Sequence, residues 1–150
     1  MPSSRHLLAF AALLAGDPAL AAVPSGSLAK RAWILSEIDG RAVGTRPDEA
    51  THVIFGADHR VGGGTGCNSF AGDAIRWSSD RTGTRGRFRF NPTVGMPWTL
   101  VQCRPSPAER DGASFWQRMR RPASWRASAT QLTSTFADGR IARLTPAPRP

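Results

Sequence analysis

Short segments in which apolar and polar residues alternate recur along most of the chain. Residues 33–38 (WILSEI) alternate in this way and end at Asp39-Gly40, a dipeptide that favours a tight hairpin turn. In residues 85–90 the two Phe fall on one face and the Arg beside them on the other, as in a strand with one buried face. Further short strands are predicted at residues 53–55, 74–77, 124–127, 132–136 and 140–144. Their hairpin spacing favours antiparallel pairing.

One segment has the periodicity of a helix. Residues 108–120 follow two prolines, carry acidic side chains in the first turn and arginines in the last, and place Phe115 and Met119 one turn apart. Pro122 ends the segment. With seven or eight strands to one helix, the sequence predicts an α+β, β-rich fold, which is a curved antiparallel sheet or small open barrel capped by this helix.

A glycine run interrupts the strand pattern after Val61. Residues 62–64 are all Gly, and a strand without side chains packs weakly, so we expect no strong strand there. A bulge, or close packing of the backbone against a neighbouring element, would explain the glycines.

The first 21 residues have the three-part layout of a secretory signal. A short positive start precedes an apolar run at residues 7–15, and Ala19-Leu20-Ala21 supplies the small residues that a signal peptidase reads. A membrane-spanning helix needs about twenty apolar residues, more than this run has. A buried N-terminal helix is the alternative. We expect a signal at 1–21, a flexible tether at 22–31, one domain at 32–145 and a disordered tail at 146–150. The mature protein would be periplasmic or secreted, without a lipid-attachment Cys.

The formal net charge is +9, and almost all of the excess is Arg. Such a charge allows an anionic partner, but arginines scattered from Arg31 to Arg149 fit a solvated surface better. Guanidinium groups bind phosphate and carboxylate bidentately, so an anionic envelope component is a more suitable partner than nucleic acid, which we do not expect. The densest groups of Arg are Arg81, Arg85, Arg87 and Arg89, and then Arg118, Arg120 and Arg121.

No set of side chains in the sequence has the pattern of an active site. His52 and His59 have no nucleophile motif beside them, and they are not at ligand spacing from the cysteines. Glu109 and Asp111 suit the first turn of the helix. We therefore expect a protein that is not an enzyme and that holds no metal and no cofactor.

Two motifs around the cysteines resemble the signatures of a known family. Residues 66–72 (GCNSFAG) are similar to the Gly-Cys-Asn-x-aromatic-x-Gly motif of the META domain, found in the HslJ-like family of bacterial heat-shock-associated envelope proteins. A Thr followed four residues later by Cys resembles its second signature. The matching positions are Gly66, Cys67, Asn68, Phe70 and Gly72, followed by Thr99 and Cys103. The resemblance covers about residues 32 to 144. It implies a compact β-rich domain with one helix and a link to stress tolerance, and it brings no established reaction.

The two cysteines and Asn68 each allow two interpretations. In an exported chain Cys67 and Cys103 most simply form one disulfide, and two buried free thiols are the alternative. Asn68 suits a turn, because Asn tolerates left-handed geometry and bonds to neighbouring amides. The other possibility for Asn68 is an exposed polar group in a binding groove.

Three functions are compatible with these features. The leading hypothesis is a monomeric, non-enzymatic envelope or stress-tolerance protein that binds an unknown envelope protein or an anionic envelope component. The second is a small-ligand or inhibitor-type binding module that uses the concave face of the sheet, where Trp77, Trp98 and Trp116 would line a pocket. The third is a secreted hydrolase, which would act on chromogenic ester, glycoside or peptide substrates.

Overall fold

The computed structural model describes residues 28–29, 31–44, 46 and 49–148. These residues form ten strands and, after the seventh strand, a helix. The strands are β1 Ala32–Ile38, β2 Arg41–Ala42, β3 His52–Phe55, β4 Val61–Gly64, β5 Ser69–Phe70, β6 Ile75–Ser79, β7 Arg85–Phe90, β8 Ala123–Ala127, β9 Leu132–Thr135 and β10 Ile141–Pro146, and the helix is α1 Pro107–Arg118. The predicted signal at 1–21 lies outside the described residues.

All the strands belong to one antiparallel sheet that curls into a half-barrel. Its order is β5-β4-β3-β1-β10-β9-β8-β7-β6, and β2 pairs with β1. The curl brings the turn before β4 next to β6. Arg60 bridges to Arg76 in β6, and the Trp77 amide donates to the His59 carbonyl at 2.9 Å. The predicted fold class, a curved antiparallel sheet with one helix, is confirmed.

The glycine run forms a complete strand, so the expectation of no strong strand was wrong. β4 pairs with β3 on one side and β5 on the other. The expectation of close packing is confirmed: a Cβ at Gly63 would collide with the His52 carbonyl and lie 2.6 Å from the Trp116 ring. Neighbours on both sides therefore stabilise a strand that side chains of its own could not.

The sheet has more strands than the seven or eight that the pattern predicted. β2 and β5 have two residues each, which is too short for any periodicity to be visible. Their pairing partners define them. The hairpin turn predicted at Asp39-Gly40 is confirmed by positive φ angles of 53° and 77° at its two residues.

Inward-facing aromatic side chains fill the half-barrel in two groups. Phe55 contacts the rings of Trp77, Phe88 and Trp125 at centroid distances of 5.4, 5.7 and 5.9 Å. The second group surrounds the Trp116 ring of α1 and includes Phe70, Trp98, Phe115 and Phe136. The concave face is thus occupied by core side chains.

Helix α1 covers the second aromatic group. Ser106 caps it by accepting a hydrogen bond from the Glu109 amide at 3.0 Å, and Pro107 occupies the first helical position. Phe115, Trp116 and Met119 are buried, which confirms the predicted apolar stripe. The helix begins one residue before the predicted segment and ends two residues earlier.

The domain extends slightly beyond its predicted boundaries at both ends. Leu28, assigned to the tether, is fully buried in the core. Pro146, assigned to the tail, is the last residue of β10 and lies opposite Trp33, and the Ala147 amide donates to the Ala32 carbonyl at 2.9 Å. The Ala147 bond forms because β1 begins at Ala32, one residue before its alternating pattern.

Candidate functional site

A disulfide joins the two signature motifs. Cys67 and Cys103 are bonded, with their Cα atoms 5.8 Å apart, so the disulfide expected from the sequence is present and neither thiol is free. The bond ties the loop after β4 to the segment that leads into α1. It therefore brings together parts of the chain that are 36 positions apart.

The side chain of Asn68 makes most of the remaining bonds between the two motifs. Its Oδ1 accepts hydrogen bonds from the Thr99 hydroxyl and the Val101 amide, both at 2.9 Å. Its Nδ2 donates to the Val101 carbonyl at 3.0 Å and lies 2.8 Å from Sγ of Cys103. Asn68 has no positive φ, so the left-handed turn interpretation was wrong. The side chain instead holds the segment around Val101 in place.

Thr99 and Phe70 complete the junction between the signatures. The backbone of Thr99 donates to the Ser69 carbonyl at 3.0 Å, and its hydroxyl accepts from the Ser69 amide at 3.1 Å. Phe70 is buried and packs between the rings of Trp98 and Trp116, at centroid distances of 4.9 and 4.6 Å. The second signature thus extends the edge of the sheet beside β5.

The start of the first signature is held by contacts with two other segments of the chain. Gly66 has a φ of +93°, and a Cβ there would collide with the Glu49 backbone. The Thr65 hydroxyl donates to a Glu109 carboxylate oxygen at 2.8 Å. The carboxylate of Glu109 therefore bonds to the signature loop, a role that the sequence did not reveal. Gly72, the last residue of the first signature, also has a positive φ, of 123°.

An open groove of about 610 Å³ lies between this junction and α1. Trp98 and Val101 line one side of it, and Trp116, Gln117 and Arg120 of the helix segment line the other. Leu100 at its rim is 98% exposed and Val101 is 58% exposed, which is unusual for large apolar side chains. Trp77, which was predicted to line a pocket with Trp98 and Trp116, lies instead in the other aromatic group.

The candidate acid–base residues each have other neighbours. His59 stacks on Trp77 at 4.9 Å, and Nδ1 of His52 lies 3.4 Å from the Ala50 carbonyl. Asp111 pairs with Arg41 at 2.9 Å. Within the described ranges, no group of three or more His, Cys, Asp or Glu side chains could hold a metal ion.

The arginines divide into paired and unpaired groups. Both guanidinium nitrogens of Arg118 bond to Asp39, at 2.7 and 2.8 Å, and this contact holds the pKa of the Asp39 carboxyl below its ordinary value of 3.8. Arg85 and the Thr82 hydroxyl bond to Asp80 and lower its pKa to about 2. Arg87 and Arg89 of β7, by contrast, have no ion-pair partner among the described residues and stand in a row with Arg85 on the outer face of the sheet.

The part of the chain that the structure describes has no helix with the length and hydropathy of a membrane span. The fold has known counterparts among solved structures. An NMR structure of a protein from Burkholderia xenovorans is 18% identical, and the match covers 99% of this chain and 100% of that one with a TM-score of 0.58. Another NMR structure is 19% identical over 81% of this chain and 93% of the other, with a TM-score of 0.57. At these identities the similarity shows the fold alone.

No curated protein matches the chain. A family model does, and it agrees with the two signatures that the disulfide joins. The META domain model matches residues 26–148, most of the chain, and the protein therefore belongs to the META domain family.

Proposed function

We propose that this META domain protein is exported and acts in the cell envelope by binding another protein, without catalysing a reaction. The observation that carries the proposal is the exposed apolar pair Leu100 and Val101, which stands at the rim of the groove on a segment tied to Asn68 and to the disulfide. The link to stress tolerance rests on the family resemblance.

The bonds that fix the backbone around this pair favour binding. Val101 is bonded to Asn68 through both its amide and its carbonyl, and Cys103, two residues further on, is in the disulfide. A loop that is already ordered loses little conformational entropy when a partner docks on it. Exposed apolar side chains on such a loop gain free energy when a partner covers them.

The lining of the groove indicates the chemistry of the partner. Trp98 and Val101 offer apolar surface, whereas Gln117, Arg120 and Glu109 supply polar groups around it. This combination of an apolar centre and a polar rim is typical of protein interfaces. A protein segment with one or two large apolar side chains and a nearby carboxylate would complement it.

The test compares two variants for capture of envelope proteins. Leu100→Ser/Val101→Ser removes the apolar pair, and Ile54→Ser removes an exposed apolar side chain from β3, away from the groove. We expect quantitative cross-linking in the envelope fraction to identify a partner that the double variant loses and that the Ile54→Ser control keeps. If both variants capture the same proteins as the unchanged chain, the groove is not the binding site.

A small apolar ligand is the second candidate, and the two Trp rings at the groove favour it. Trp98 and Trp116 lie 6.1 Å apart, so a ligand between the loop and α1 would change their fluorescence. Titration with a hydrophobic dye and with fatty acids would detect it. A saturable shift that Leu100→Ser/Val101→Ser abolishes would support this ligand class, and no shift would reject it.

The location and the absence of catalysis need separate tests. Mass spectrometry of the exported protein should show an N-terminus near Ala22, and an intact Met1 would contradict export by a cleaved signal. The disulfide is consistent with an oxidising compartment. Activity on a panel of chromogenic esters, glycosides and peptides should be undetectable, and turnover that follows the protein through purification would contradict the non-enzymatic proposal.

A further inference from the structure

The outer face of the sheet carries a second feature, which the groove does not involve. On three neighbouring strands, β6, β7 and β8, arginines stand on the side opposite the aromatic core. Together they are called here the arginine face, which consists of Arg76, Arg85, Arg87, Arg89 and Arg126.

The register of the strands places four of these arginines directly opposite one another. Arg76 pairs with Arg89 between β6 and β7, and Arg85 pairs with Arg126 between β7 and β8. Like charges at directly opposed positions destabilise a sheet. The chain thus has two like-charge pairs on one face. Their repulsion destabilises the sheet, and an anion placed between the guanidinium groups would remove that destabilisation.

Carboxylates neutralise only part of this face. Asp73 bonds to Arg76 at 2.7 Å, and Asp80 bonds to Arg85 at 2.9 Å. Among the described residues, Arg87, Arg89 and Arg126 have no ion-pair partner. The face therefore carries an excess of three positive charges.

Hydroxyl groups lie beside the unpaired guanidinium groups. Ser124 is opposite Arg87, and Thr133 is opposite Arg126. With Arg85 and Thr135 they line an open depression of about 720 Å³. Guanidinium and hydroxyl donors that point to one side form charge-assisted hydrogen bonds with phosphate oxygens.

We propose that the arginine face binds the surface of an anionic phospholipid membrane through the phosphate groups of its lipids. Two features favour this partner over other anions. The face is open and covers three strands, so it suits an extended array of phosphates better than one small ion. Neighbouring strands lie roughly 5 Å apart and alternate residues along a strand roughly 7 Å apart, so several lipids can be contacted at once. Each arginine near such a surface contributes to attraction.

The aromatic side chains argue against single-stranded nucleic acid. Trp77, Phe88 and Trp125 of the same three strands all point into the core, where they are buried. Proteins that bind single strands stack bases on exposed aromatic rings beside basic groups. The arginine face has guanidinium and hydroxyl groups without such rings.

The test measures how much protein sediments with vesicles of phosphatidylglycerol and of phosphatidylcholine. The face variant is Arg87→Gln/Arg89→Gln/Arg126→Gln. The control, Arg104→Gln/Arg110→Gln/Arg121→Gln, removes the same charge from exposed positions on the segment before α1, on α1 and after it. We expect the unchanged protein to bind the anionic vesicles and not the neutral ones, and to bind at least about tenfold less at 0.5 M salt.

The two variants decide the proposal. The face variant should lose anionic vesicle binding by at least about tenfold, and the control should stay within about twofold of the unchanged protein. Equal losses in both would mean that net charge alone is responsible and would overturn the proposal, as would tighter binding to single-stranded DNA than to vesicles. The denaturation midpoint of the face variant should not fall, because two like-charge pairs are relieved. Its groove is intact, so partner capture through Leu100 and Val101 is expected to persist.

Discussion

Asn68 has the largest structural role of any single side chain at the candidate site. One carboxamide satisfies the Thr99 hydroxyl and both backbone groups of Val101. Asn68→Ala should lower the free energy of unfolding by about 1–2 kcal/mol, because several bonds at a partly exposed site are lost together. Denaturant unfolding under oxidising conditions measures this. Asn91→Ala, which loses one exposed turn bond to the Thr93 amide, should change it by less than about 0.5 kcal/mol. Equal losses of stability in Asn68→Ala and Asn91→Ala would show that Asn68 does not hold the segment around Val101.

Asp39 connects the first hairpin turn to the end of α1 through Arg118. Because this contact lowers the pKa of the folded carboxyl, it stabilises the protein fully above the unfolded pKa of about 3.9, and the stabilisation is lost as the pH falls through the folded pKa. Asp39→Asn keeps a residue that tolerates the positive φ of 53°. We expect this variant to be less stable by about 1 kcal/mol at pH 7.

The pH dependence separates the charge of Asp39 from its shape. The stability difference between Asp39→Asn and the unchanged protein should shrink as the pH falls below about 4 and vanish once the folded carboxyl is protonated. Asp138→Asn is the matched control, since it also sits in a hairpin turn and the guanidinium Nε of Arg140 is 3.9 Å from its carboxylate. A difference that stayed constant from pH 7 to pH 2 would mean that the ion pair contributes nothing.

At the scale of elements, the position of α1 depends on a glycine. Gly112 lies on the buried face of the helix, and a Cβ there would collide with the Thr51 hydroxyl. Gly112→Ala gains about 1 kcal/mol of helix propensity but forces α1 away from the sheet, which costs about 1–3 kcal/mol. We expect a net loss of stability in denaturant unfolding.

A double-mutant cycle would identify the cause of that loss. Thr51→Ala removes the colliding oxygen, and the new Cβ would then be about 3.4 Å from the position of the Thr51 Cβ, an ordinary contact. Gly112→Ala should therefore stabilise the Thr51→Ala background although it destabilises the unchanged protein, giving a coupling energy of about 1–3 kcal/mol. Additive changes in stability for Gly112→Ala and Thr51→Ala would show that contact with Thr51 does not determine the position of α1.

The sequence predicted those elements that carry their own local signal. Strands β1 and β7 alternate, Asp39-Gly40 favours a hairpin turn, and α1 has its preceding prolines, charges and apolar stripe. Strand β4 was predicted only at its start, Val61, because its three glycines have no side chains that could alternate. Its stability comes from pairing with β3 and β5 and from packing against the Trp116 ring, and neither leaves a periodicity within the strand itself.

At the scale of the whole molecule, the sequence predicted which residues form the site but not how their side chains are bonded. The two signatures indicated which residues matter, but they did not show that Asn68 bonds across to Val101 or that Glu109 bonds back to Thr65. The arginine face was also hidden. Arg76 and Arg126 join the β7 arginines only through strand register, whereas Arg118 of the second predicted Arg group is used in an ion pair with Asp39.

The disulfide stabilises the whole domain by closing a long loop. On the loop-closure model, a separation of 36 residues contributes about 3–4 kcal/mol by restricting the unfolded chain. Reduction, or Cys67→Ser/Cys103→Ser, should therefore lower the free energy of unfolding by about that amount. Leu100 and Val101 should also bind their partner more weakly, because only the hydrogen bonds of Asn68 and Thr99 then hold this segment. If reduction removed stability but left partner capture unchanged, the bonds of Asn68 would be sufficient to order the loop. If reduction changed neither, the loop-closure contribution would be absent, and the two signatures would be held together by the packing of Phe70 between Trp98 and Trp116.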